Sequence, residues 1–64
     1  GETFSTYLLR IRIENAKRYL ETTDYSNDKI AELTGFGAVN TFYRNFNKQT
    51  GVTPKVYKEN LKNL

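Results

Sequence analysis

Helix-breaking residues are scarce in this chain, and where they fall divides it into a few helical pieces. Four glycines and one proline are present among 64 residues, at Gly1, Gly35, Gly37, Gly51 and Pro54. From Phe4 to Glu21 there is neither, and Leu9, Ile13, Ala16 and Leu20 recur at spacings of four, three and four. That spacing is one apolar stripe on a helix. A second apolar set, Phe4, Leu8, Ile11 and Tyr7, lies off the stripe. It either widens the core face or equips a helix that links two packed units.

The stretch from Thr22 to Asp28 is polar and rich in cap formers, so the first helix should end near Thr22 and the second begin after Ser26. Tyr25 and Ile30 then hold the positions that pair in a hydrophobic staple, and Asp28 favours the positive end of the helix dipole. A helix this short, 27–34, is expected to bury only Ile30, Leu33 and part of Ala31. Gly35 suits the left-handed residue that stops a helix. Phe36 reads as a plug between helices, because leaving its ring exposed would forgo about 1.5 to 3 kcal/mol of burial. Gly37 or Ala38 opens a third helix, 39–50, stopped by Gly51, and Thr53 with Pro54 starts a fourth, 54–62, with Val56, Tyr57 and Leu61 on its apolar face. The pattern predicts an all-α fold of four helices, 4–22, 27–34, 39–50 and 54–62, in which 26–50 is a helix-turn-helix and 53–64 the C-terminal helical segment.

Sixty-four residues allow a single domain, 1–64. With neither cysteine nor histidine, disulfides, the common zinc arrangements and thiol or imidazole catalysis are all excluded. The carboxylates are scattered and the serines have no activating base, so an enzyme is not expected, nor is a metal or cofactor. Gly35-Phe36-Gly37 lacks the preceding strand and following Lys-Ser/Thr of a phosphate loop. No apolar run is long enough for a membrane span and no signal peptide is apparent, which points to a soluble, intracellular protein. The abrupt start at Gly1 suggests a piece of a longer one.

Charge is unevenly distributed. Residues 1–36 carry five Lys/Arg against six Asp/Glu, and residues 37–64 carry five against Glu59 alone, so −1 and +4 sum to the net +3. A basic half favours a polyanionic partner. On the third helix, at about 100° per residue, Phe42 and Phe46 form a core stripe with Val39 at its margin. Asn40, Arg44 and Asn47 project the other way, flanked by Tyr43, Thr41 and Lys48, with no carboxylate among them. A face meeting phosphates excludes acids, and Asn and Arg make bidentate contacts to adenine and guanine edges in the major groove. Lys48, Lys55 and Lys58, with the backbone after Thr53, are placed to meet phosphates. A plain solvated face remains the competing reading, as does a helical interaction module whose basic face meets an acidic protein.

Arg12-Ile13, Ala16, Tyr19-Leu20, Ile30-Ala31-Glu32, Gly35-Phe36, Phe42, Arg44, Phe46, Gly51-Val52-Thr53-Pro54 and Tyr57 together resemble the second half of the AraC/XylS-type bacterial DNA-binding domain. The resemblance covers nearly the whole chain. It implies a homeodomain-like helix-turn-helix subdomain in which 4–22 is the linker helix to a first unit, with Gly1 to Phe4 as that unit's tail. By the same resemblance Val39, Asn40, Thr41, Tyr43 and Arg44 contact bases in double-stranded DNA, while Lys48 and the turn from Thr53 to Lys55 meet the backbone. Asn47 replaces the usual lysine, Lys58 the usual arginine, and Asn27 a position commonly apolar, where Tyr25 is expected to supply the missing packing. RNA polymerase is the partner implied for the full-length protein, acting in the bacterial cytoplasm at the nucleoid. Tyr7, Leu8 and Ile11 would face the missing half or another copy of the chain.

Overall fold

The computed structural model describes residues 3–62, so Gly1 and Glu2 of the expected tail and the last two residues of the segment 53–64 lie outside the described residues. Four helices follow in order: α1 (Phe4–Thr22), α2 (Asn27–Thr34), α3 (Val39–Thr50) and α4 (Pro54–Lys62). The expected boundaries hold because the local chemistry sets them. The side-chain oxygens of Thr3, Ser26 and Thr53 accept from the N–H groups of Thr6, Lys29 and Val56 at 3.1, 3.1 and 3.2 Å, closing the first turns of α1, α2 and α4.

The turn between α2 and α3 is a Schellman stop. Gly35 N–H donates to Glu32 O at 3.3 Å, while the N–H groups of Phe36 and Gly37 both reach Ala31 O, at 3.0 and 3.1 Å. Gly35 has φ +91°, and a Cβ there would stand 3.1 Å from Arg12 Nε of α1. Gly37, also left-handed at φ +81°, belongs to this turn and does not cap α3; that position is taken by Ala38 in extended backbone.

Ile13, Ala16 and Leu20 of α1, Ile30 and Ala31 of α2, and Phe42 and Phe46 of α3 form the buried core, with Leu9, Tyr19, Phe36, Val39, Val52 and Tyr57 packed around it. Phe36 plugs the turn as expected, its ring 5.6 Å from that of Phe42. Phe46 meets Phe42 and Tyr57 edge-on, both at 5.6 Å, so an aromatic run carries the core from the turn through α3 to α4.

Side chains in two places, α2 and α4, depart from expectation. In α2, Leu33 is 44% exposed whereas Ala31 and Thr34 are buried. At about 100° per residue the buried arc centres between Ile30, Thr34 and Ala31, leaving Leu33 outside it. Thr34 is tolerated there because its hydroxyl donates to Ile30 O at 2.7 Å. Ahead of α2, Tyr25 sets its ring 5.9 Å from that of Tyr19 at the end of α1 and is itself 45% exposed. In α4, Pro54 is buried and Val56 exposed, since the proline ring faces inward at the start of the helix.

Two polar ties hold α4 to the end of α1. Tyr57 Oη donates to Glu21 Oε2 at 2.7 Å, and Lys58 Nζ donates to Thr23 O at 3.0 Å with Asp24 3.8 Å away. Desolvation, then the hydrogen bond to Glu21 and the negative charges of Glu21 and Glu14, push the Tyr57 hydroxyl up to about 12.

Candidate nucleic-acid interface

The core fixes one side of α3 and leaves the other outward. Phe42 and Phe46 are fully buried, and Asn40, Thr41, Arg44, Asn47 and Lys48 are exposed, as the helical spacing requires. Val39 is half-buried against the core, so it sits at the rim of the outward face. Among the described residues, no side-chain hydrogen bond or ion pair engages Asn40, Arg44, Asn47 or Lys48. Their donors and acceptors are spent on solvent, which a ligand can displace. Asn45, by contrast, turns its amide back to Thr41 O at 2.9 Å and is half-buried. The helix contains no Asp or Glu, and it carries Arg44 and Lys48.

The first turn of α3 differs from the other helix starts. Ala38 offers no side-chain acceptor, and the residue has φ −88° and ψ 140°. The first-turn N–H groups of α3 therefore have no side-chain cap.

The expected phosphate contacts fare differently from one another. Lys48 and Lys55 are exposed. Thr53 is exposed too, but its hydroxyl is engaged in capping α4. Lys58 is half-buried and tied to Thr23 O, which restricts how far its ammonium can reach. Lys55 borders a surface depression lined by Asn27, Tyr43, Thr53 and Pro54, where the start of α2, the middle of α3 and the start of α4 converge.

Asn27 belongs to this face, although by sequence it stands out only as a packing departure. Its Nδ2 donates to Tyr43 Oη at 3.1 Å, across sixteen residues of sequence. Tyr43 is 38% exposed, its ring 6.0 Å from that of Phe42. The only sequence signal was a polar residue at a position commonly apolar; the pairing itself depends on how α2 crosses α3.

Among the described residues no helix is long and apolar enough to cross a membrane, and no group of acidic residues could hold a metal.

A family profile described as a helix-turn-helix domain matches residues 1–60. The chain is 39% identical over 59 residues to the transcriptional activator NphR of a Rhodococcus species, covering 92% of this chain and 18% of that protein. It is 39% identical over 59 residues to the HTH-type transcriptional regulator Rv1931c of Mycobacterium tuberculosis, covering 92% of this chain and 23% of that one. Over 55 residues it is 36% identical to the transcriptional activator PerA of Escherichia coli, covering 86% of this chain and 20% of the relative. The chain thus spans about a fifth of the length of these relatives. No solved structure matches it.

Proposed function

The chain belongs to the AraC/XylS-type helix-turn-helix family, whose members bind DNA in transcription regulation, and from that premise we propose that α3 is the recognition helix and enters the major groove of double-stranded DNA. Asn40, Thr41 and Arg44 are the base readers, with Asn47 further along the helix and Val39 at its rim. Lys48, Lys55 and the start of α4 at Thr53 hold the DNA backbone, and Lys58 adds charge beside them. The observation that carries this reading is the outward face of α3: exposed, free of carboxylates, and with the side-chain amides of Asn40 and Asn47 and the guanidinium of Arg44 unengaged among the described residues. Phosphate contacts set register and base contacts set sequence, and no chemical step is involved.

The domain is the second helix-turn-helix of a two-unit DNA-binding region, with α1 as the linker helix. Phe4, Tyr7 and Ile11, at 79%, 51% and 38% exposed, support this, since an apolar set turned away from its own core suits a helix with a second neighbour. In the full-length regulator, RNA polymerase is the partner, and the protein works in the cytoplasm at the nucleoid.

Titration against duplex DNA over a salt series tests the reading. Each phosphate neutralised contributes about −0.9 to the slope of log K against log salt, so the two lysine contacts, Lys48 and Lys55, give a slope of about −1.8. A slope near zero, or tighter binding to an acidic protein than to DNA, would refute it.

A further inference from the structure

Resting on the DNA-binding reading, we infer that Asn27 is a positioning residue that makes Tyr43 a donor to the DNA backbone, not a reader of bases. Asn27 Nδ2 donates to the Tyr43 hydroxyl oxygen, so one acceptor site of that oxygen is filled from α2. A phenol has one proton to give and its oxygen can accept. With that acceptor site filled from α2, the O–H is left to turn away from α2 as a donor. A donor without a neighbouring acceptor suits a phosphate oxygen, which only accepts.

The surroundings agree with a backbone contact. The ring of Tyr43 is anchored beside Phe42, so the hydroxyl is held at the edge of α3 and not swung out over its centre, where Asn40, Arg44 and Asn47 project. The same depression is bordered by Lys55 from α4, which brings a cation to the same place. Asn27 thus couples the start of α2 to the recognition helix, and the side chains around Tyr43 come from three helices. Such a contact fixes how deeply α3 sits and carries no sequence information of its own.

The test is a nuclear magnetic resonance titration of the chain at low salt with two duplexes of unrelated sequence, which reads weak binding directly. Tyr43→Phe keeps the ring and removes only the hydroxyl. It is expected to weaken both duplexes equally, by about tenfold, the lower end for a hydrogen bond to a charged acceptor, and to leave the salt slope unchanged because no cation is removed. Asn27→Ala weakens both duplexes by a smaller factor in the native background and costs nothing further in the Tyr43→Phe background. Undiminished binding by Tyr43→Phe, a loss confined to one duplex, or an Asn27→Ala loss that persists in full beside Tyr43→Phe would overturn the inference while leaving DNA binding intact. If the native chain binds neither duplex at any salt concentration, the DNA-binding reading falls and takes the inference with it.

Discussion

Single residues in this fold have separable tasks. Gly35 and Gly37 supply left-handed backbone, and Phe36 between them supplies a ring, so the turn both stops α2 and seals the core. Tyr57 does two jobs at once: its ring packs on Phe46 and its hydroxyl ties α4 to Glu21. Because its hydroxyl titrates at about 12 in the fold against 10.0 without it, the neutral form is favoured in the folded state. The stabilisation is fully present below pH 10.0 and is lost as pH rises through about 12. Urea unfolding followed across that window should show a falling midpoint, and the fall should be shallower in Tyr57→Phe, where the other tyrosines and the lysines still titrate. Equal declines in both proteins would contradict the role given to Tyr57.

Among the helices, α3 begins without a side-chain cap, at the end that the proposed docking would bring to DNA. Ala38→Asp supplies the missing side-chain acceptor and should stabilise the domain by about 1 kcal/mol, read as a higher urea midpoint. The added negative charge at the leading end of the recognition helix should at the same time weaken duplex binding. A gain in stability with unchanged DNA affinity would show that this end of α3 stays away from the phosphates. The helix boundaries were legible in the sequence because caps and stops act locally: Ser26, Gly35, Gly51 and Thr53-Pro54 each announce an end without reference to the rest of the chain. Much of the outward face of α3 was legible too, since Phe42 and Phe46 fix the rotation of a twelve-residue helix. What was not legible depends on how helices cross. An eight-residue α2 presents too few turns to decide between Leu33 and Thr34 as its third buried position. Partners far apart in sequence, Asn27 with Tyr43 and Lys58 with Thr23, have no local signature at all.

The whole molecule is a small core with two unlike outer surfaces. One is the polar, carboxylate-free face of α3; the other is the apolar set on α1. If Tyr7 and Ile11 meet a second helix-turn-helix unit in the intact regulator, the 64-residue chain alone leaves them open to another copy. Sedimentation of the chain should then show concentration-dependent association that Ile11→Glu abolishes without unfolding the domain. A chain that stays monomeric at millimolar concentration would argue against that use of α1. Whether the outward face of α3 reads sequence is decided by comparing Arg44→Ala with Lys55→Ala in the intact regulator, on its preferred site and on random duplex. Arg44→Ala should lower the discrimination between them by about 1 to 3 kcal/mol, the worth of one bidentate pairing with a base edge, whereas Lys55→Ala should weaken both duplexes alike. Unchanged discrimination in Arg44→Ala would contradict the account.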